Sequence, residues 1–287
     1  MQSFSRSGLD FDVTDRGPEG PDRGPERAEG AEGSPTVVLL HGFPEDRHSW
    51  DQVSERLVTG GLRTLAPDQR GYSPGARPTE PYPEAYAISE LVEDVVALLD
   101  AAGIDRAHVV GHDWGGAVAW SLAGAHPERV ASLTVLSTPH PAALARALRD
   151  PWQALHSTYM ALFQLPRVPE ALLARQLVRW LTSSGLPLAS AERYAGRMRE
   201  PGALRGALGW YRAMRTSRGT VHRTRVPTTF VWGRRDGFLG RRAAEMTGQF
   251  VLTDYRFVEV DEGHWLPEVA PDVCAQEILA RVRQVAL

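Results

Sequence analysis

Lysine is missing from this chain of 287 residues, and all 32 basic side chains are arginine. No site chemistry asks for that bias, which reads as the coding habit of a GC-rich genome. Cysteine is nearly missing too. A lone Cys274 excludes an internal disulfide framework and any multi-cysteine metal site, and it suits a buried structural thiol in an expected carboxy-terminal helix. No apolar run approaches the roughly 20 residues that span a bilayer. The polar start Met1-Gln2-Ser3-Phe4-Ser5-Arg6 does not read as a secretory leader, so a soluble cytoplasmic protein is expected. There is no excess of positive charge: the net charge of -3 gives no electrostatic case for nucleic acid or an anionic membrane as partner. Internal repeats are absent. Histidines and carboxylates do not pair at ligand spacing on one element, so no metal site is expected. What is present is apolar content of 43%, enough for a sizeable core in one domain or one domain with an insertion.

The apolar pattern alternates between strand and helix. Two short stretches, 3–7 and 9–14, predict an opening hairpin. Residues 15–35 are dominated by Gly, Pro, Glu and Arg and predict a flexible surface excursion. Strands are then expected at 36–40, 62–66, 107–110 and 131–136, with helices at 49–60, 86–102 and 115–126. Within 86–102, Leu91, Val95, Leu98 and Leu99 recur at helical spacing. From Pro139 to His222 no buried strand stands out, and several helices punctuated by prolines are expected. The alternation resumes with strands at 228–232 and 255–260 and helices at 241–250 and 271–285. This order predicts an α/β fold: a mostly parallel sheet with helices on both faces and a helical lid inserted at 139–222 between core segments 1–138 and 223–287.

One short motif concentrates the chemistry. Gly111-His112-Asp113-Trp114-Gly115-Gly116 has small residues around an apex between an expected strand and helix, the layout of a nucleophile elbow with aspartate where serine is usual. At the amino end of a helix, free backbone N–H groups favour negative charge, so the carboxylate stays ionised and usable at neutral pH. An aspartate that merely caps the helix would look similar in sequence. A dinucleotide-binding loop fits less well, because the glycine spacing is not G-x-G-x-x-G.

In open α/β sheets, functional groups collect at the carboxyl ends of the strands. The first central strand ends in His41-Gly42-Phe43-Pro44-Glu45, the elbow strand in Asp113, the strand at 228–232 in Gly233-Arg234-Arg235-Asp236, and the last in Gly263-His264-Trp265. Asp113, Asp236 and His264 fall in the chain order nucleophile, acid, base. His264 suits proton transfer near neutrality, and Asp236 would orient it. Packing beside Trp265, or pairing of Asp236 with Arg234 or Arg235, are the plainer alternatives. Asp261 and Glu262 are expected to be solvated. His41 would support its loop, while the backbone N–H groups of Phe43 and Trp114 could form an oxyanion hole.

These residues resemble the soluble epoxide hydrolases of the α/β-hydrolase fold. The similarity runs along the whole chain outside 15–35. His41 to Glu45 looks like that family's oxyanion loop, in which Gly42 and Pro44 support the turn, and Gly111 to Gly116 looks like its nucleophile motif. Asp236 and Gly263-His264-Trp265 match its acid and base. The resemblance also implies two lid tyrosines that hydrogen-bond an epoxide oxygen. Tyr159, ahead of Phe163-Gln164-Leu165-Pro166, and Tyr211, within Trp210-Tyr211-Arg212, fit both contexts; composition alone would read them as core aromatics. Tyr194 has no motif support. A cis peptide before Pro44 is a further implication.

The implied reaction opens an epoxide to a vicinal diol without a cofactor. The protonated tyrosines donate to the oxygen, Asp113 attacks carbon to give an ester, and His264 activates the water that cleaves it. A haloalkane dehalogenase shares the Asp nucleophile and Trp114, but usually carries Asn or Glu where Phe43 stands, and it would leave the tyrosines idle. A fluoroacetate-type dehalogenase would carry Arg in place of Trp114. A non-catalytic binding protein on the same fold would not need His264. Neither the particular epoxide nor the oligomeric state is legible.

Overall fold

The computed structural model describes residues 1–18, 34–215 and 222–285. Two strands, β1 (Ser3–Arg6) and β2 (Leu9–Arg16), form the expected hairpin, with β2 running past residue 14. The excursion therefore starts later than the composition suggested: Asp15 and Arg16 pair with Leu65 and Thr64, and the Asp15 carboxylate binds Arg63 Nη2 at 2.8 Å. Residues 19–33 of that expectation lie outside the described residues.

The strands and helices that follow are β3 (Thr36–Leu40), α1 (Asp51–Thr59), β4 (Arg63–Pro67), α2 (Ile88–Ala101), β5 (Ala107–His112), α3 (Trp114–Ala125) and β6 (Val130–Leu136). After a helical block come β7 (Thr228–Gly233), α10 (Arg241–Met246), β8 (Tyr255–Val260), α11 (Leu266–Val269) and α12 (Pro271–Gln284). The block itself comprises α4 (Pro141–Ala147), α5 (Pro151–His156), α6 (Thr158–Leu162), α7 (Val168–Ser183), α8 (Leu188–Met198) and α9 (Ala203–Ala213). Among the described residues the sheet has eight strands in the order β1-β2-β4-β3-β5-β6-β7-β8, parallel from β4 onward.

Burial explains the sheet's interior. Every residue of β3, β5, β6 and β7 is buried, as strands covered on both faces require. Side chains alternate between two cores. Val37 and Leu39 face α1 and α12 with Leu57 and Ile278, whereas Val38 and Leu40 face the opposite side with Val95 of α2 and Val118 of α3. Cys274 is fully buried in the first of these cores, where burial pushes its thiol well up.

Several helix ends differ from expectation for local reasons. The segment beginning at Ser49 opens as a 3-10 turn, Arg47–Trp50, because Asp46 caps it by accepting from His48 N at 2.9 Å. Tyr86 belongs to its own 3-10 turn, Glu84–Tyr86, and donates to Pro78 O at 2.9 Å, so α2 starts at Ile88. Past Met246 the chain tightens into a 3-10 turn, Thr247–Phe250.

The helical block lies over the carboxyl ends of the strands and is tied to the core by specific bonds. Trp210 Nε1 donates to Arg70 O at 2.8 Å, Trp265 Nε1 to Ser184 Oγ at 3.0 Å, and Arg197 Nη2 to Asp68 at 2.7 Å. Tyr194 is absorbed here, its hydroxyl bonded to Glu268, which also accepts from Ser190 Oγ at 2.8 Å. Among the described residues, no helix is long and apolar enough to cross a membrane.

Candidate active site

Asp113 sits between β5 and α3 at φ 48° and ψ -121°, a backbone conformation that a non-glycine residue adopts only when its surroundings impose it. The imposition is visible in the packing. A Cβ on Gly115 would collide with the carbonyl of Leu40, and one on Gly42 would lie 2.7 Å from Asp113 Oδ2. The small residues let the loop after β3 close on the elbow. The Asp113 carbonyl accepts from Thr138 Oγ1 at 2.8 Å and from Ala117 N at 3.2 Å, so the turn is held from behind as well.

The loop after β3 reaches the carboxylate directly. Phe43 N donates to Asp113 Oδ2 at 2.8 Å, and the Phe43-Pro44 peptide is cis. Trp114 is the first residue of α3, so its N–H is among the helix amides without an intrahelical acceptor. His41 is fully buried beside them. Its Nε2 accepts from Gln69 N at 3.1 Å, which leaves Nδ1 as the donor toward Gly42 O at 3.0 Å.

Asp236 and His264 arrive from the ends of β7 and β8. His264 Nδ1 donates to Asp236 Oδ2 at 2.8 Å, and its Nε2 lies 3.5 Å from Asp113 Oδ1. The other oxygen of Asp236 accepts from Phe238 N at 2.8 Å and Leu239 N at 3.0 Å, which fixes the carboxylate plane. Asp236 therefore does not pair with Arg234 or Arg235; those arginines bind exposed Asp261, and Arg235 also reaches Glu262. Burial works against a charged His264, but Asp236 and Asp113 outweigh it and raise the imidazole to about 10. Burial likewise opposes the Asp113 anion, and the His264 hydrogen bond and charge, with His112 and Phe43 N–H, hold its carboxyl below the ordinary range.

Above the carboxylate stand the two tyrosines. The Tyr159 and Tyr211 rings are 6.1 Å apart and edge-on, and Tyr211 packs at 5.0 Å on Trp114 and 5.3 Å on Phe43. Burial, with the charge of Asp113 among the further causes, raises both hydroxyls well above the usual tyrosine value, so they remain protonated donors. Their two sequence contexts bind each other. Gln164 Nε2 donates to Tyr211 O at 2.7 Å, while Arg212 donates to Phe163 O at 3.1 Å and Leu165 O at 2.7 Å. That lacing fixes the spacing of the pair. A cavity of about 230 Å³ opens onto Asp113, Trp114 and Tyr159.

Three residues with no sequence-assigned role complete the arrangement. Fully buried His112 bridges Glu45 Oε2 at 2.8 Å and the His264 carbonyl at 2.9 Å, and Ser137 Oγ donates to that same carbonyl at 2.6 Å. Glu45 Oε2 also accepts from Gly42 N at 3.0 Å. The loop after β3 and the His264 loop are thus joined beneath Asp113. A histidine and a glutamate at the ends of apolar strands were the available signal, since buried polar groups must find partners.

A carboxylate at a strained elbow, a buried acid–imidazole pair and a covering helical block define a hydrolase of the α/β type. A family model described as the alpha/beta hydrolase fold matches residues 35–271. The AB hydrolase superfamily protein YfhM of Bacillus subtilis is 37% identical over 88% of this chain and 91% of its own. Epoxide hydrolase A of Mycobacterium tuberculosis is 34% identical over 84% of this chain and 88% of its own. The crystal structure of Epoxide Hydrolase A from Mycobacterium thermoresistibile superposes with a TM-score of 0.79 at 27% identity, covering 99% of this chain and 98% of that one. The chain belongs to the α/β-hydrolase family, with relatives named epoxide hydrolases.

Proposed function

We propose that this protein hydrolyses an epoxide to a vicinal diol through an ester on Asp113. The observation that carries the reading is the pairing of an ionised carboxylate at the elbow with two protonated tyrosines facing it. An epoxide oxygen leaves only when it gains a hydrogen bond or a proton, and these hydroxyls are the donors available to it.

The geometry divides the labour between the carboxylate oxygens. Phe43 N–H holds Oδ2, which leaves Oδ1 to attack the ring carbon. A carbon–oxygen bond to Oδ1 forms, the ring carbon–oxygen bond breaks, and the alkoxide takes a proton from Tyr159 or Tyr211. The resting imidazolium of His264 then supplies the proton that restores the tyrosine. Esterification removes the Asp113 charge that helped to raise His264, so the imidazole gives up its proton more readily. Neutral Nε2 takes a proton from water while the water oxygen attacks Cγ of the ester. Oδ2 becomes the oxyanion, held by the Phe43 and Trp114 N–H groups. On collapse the Cγ–Oδ1 bond breaks, the leaving alkoxide takes a proton from His264 to complete the diol, and the new Asp113 carboxyl returns its proton to the imidazole. Asp236 keeps Nε2 aimed at the water throughout, His41, Gly42 and Pro44 shape the loop, and no cofactor takes part.

A panel of terminal, aryl and fatty epoxides beside haloalkanes, assayed with the wild type and Asp113→Ala, tests this. Diol from epoxides that vanishes in the variant is expected. Halide release with no diol would transfer the site to dehalogenation.

A further inference from the structure

The cavity beyond Asp113 has a direction and a chemistry. Its wall takes in Asp113 and Tyr159, then Ala117 and Ser121 on successive turns of α3, together with Leu144, Leu148 and Met214. Ala117 and Ser121 are one helical turn apart on one face, and their small side chains leave the room. The wall hydroxyls are turned away from it: Ser121 donates to Ala117 O at 2.8 Å, Thr138 to Asp113 O at 2.8 Å and Tyr86 to Pro78 O at 2.9 Å. Among the described residues, no arginine, histidine or glutamate lines it, and the ionisable groups are Asp113, Tyr86 and Tyr159. Leu148 and Met214 of that wall are 43% and 39% exposed, so the cavity wall reaches the surface at apolar side chains.

We infer that the substrate is a neutral epoxide carrying one extended apolar substituent, which lies along the Ala117–Ser121 face of α3 and points toward Leu148. A charged end group would be desolvated there without a counter-ion. The inference rests on the reading of Asp113 as the epoxide-opening group, and it assigns Ser121 as a residue that sets chain length.

Two measurements separate the layers of the argument. In the first, kcat/KM is followed from epoxybutane through epoxyhexane to epoxyoctane, and for an epoxyoctane analogue ending in a carboxylate. Burial of four methylenes raises kcat/KM by roughly a hundredfold, and the carboxylate removes a gain of that order. Ser121→Leu, which fills the arm, flattens the series to less than about tenfold, and a retained melting temperature shows that it folds. Leu148→Arg, at an exposed position, improves the carboxylate analogue relative to its alkyl parent by on the order of tenfold. In the second, Trp114 and Trp210, both in the cavity wall, report binding of octanol and octanoate by fluorescence. Octanol binding in preference to octanoate supports the apolar arm even with no epoxide turned over, an outcome that would sink the reaction alone. Epoxide turnover with a flat chain-length series, or octanoate binding as well as octanol, overturns the inference while the reaction stands.

Discussion

Replacing Asp236 by asparagine keeps the shape of the side chain and should nevertheless stop the second half of the reaction. One Asp236 oxygen accepts two backbone N–H groups, from Phe238 and Leu239, at 2.8 and 3.0 Å. The other accepts from His264 Nδ1 at 2.8 Å. Asparagine has one acceptor oxygen, and the two N–H groups claim it, so its NH2 must face His264. Nδ1 is then forced to accept, the ring proton moves to Nε2, and Nε2 can no longer take a proton from water. The loss of the negative charge also removes the largest influence raising the imidazole.

In the proposed mechanism ester formation uses Asp113 and the tyrosines, and it is expected to survive. Ester cleavage depends on Nε2 and falls by roughly ten-thousandfold, equivalent to ~5 kcal/mol of transition-state stabilisation. Because both backbone bonds of the loop are kept, the fold loses only about 1–3 kcal/mol. Intact-protein mass spectrometry after rapid mixing with an epoxide should find Asp236→Asn carrying one equivalent of substrate, in step with a single burst. Turnover within tenfold of wild type, or an unmodified protein that makes no burst, refutes the assignment of roles.

The paired change Tyr159→Phe and Tyr211→Phe should abolish ring opening, measured as loss of the burst, while the circular dichroism spectrum and melting temperature stay near wild type; retained turnover would mean that other groups protonate the oxygen. Single-turnover kinetics should separate two pH dependences. Ester formation stays flat from about pH 6 to 9, because Asp113 is ionised and the tyrosines are protonated throughout, whereas ester cleavage rises with pH as His264, relieved of the Asp113 charge, titrates below about 10. A shared profile for both steps would contradict the reading. For stability the sign is the reverse: a raised folded-state pKa stabilises fully below the unfolded histidine value near 6.5 and is lost as pH climbs toward about 10. The advantage of wild type over His264→Gln in urea unfolding should accordingly shrink across that window, and an advantage that grows would show the pKa to be depressed.

Much of the core was legible because period and punctuation agreed. The buried runs at 36–40 and 228–232 and the half-buried run at 255–260 became β3, β7 and β8, and the glycines around Asp113 marked a turn that admits no larger side chain. Following each strand to its end brought together Asp113, Asp236 and His264 because an open parallel sheet places those ends side by side. What escaped depends on faces that meet only after folding. Glu45 and His112 lie 67 positions apart, and nothing in local pattern says that they share a hydrogen bond beneath Asp113. The mutual lacing of Gln164 and Arg212 across the helical block, and the apolar arm along α3, likewise arise from packing between elements far apart in sequence. Helix ends shifted where a side chain supplied a cap, as Asp46 does ahead of α1.

The carboxylate of Asp113 is either bonded to substrate during the reaction or it is not, and heavy-oxygen water tells the two apart. One turnover of the wild-type protein in labelled water should leave the first diol unlabelled and put the label in the peptide that carries Asp113, because water attacks Cγ of the ester. Label found in that first diol, with Asp113 unchanged, would mean that water opens the epoxide directly and that the ester does not form.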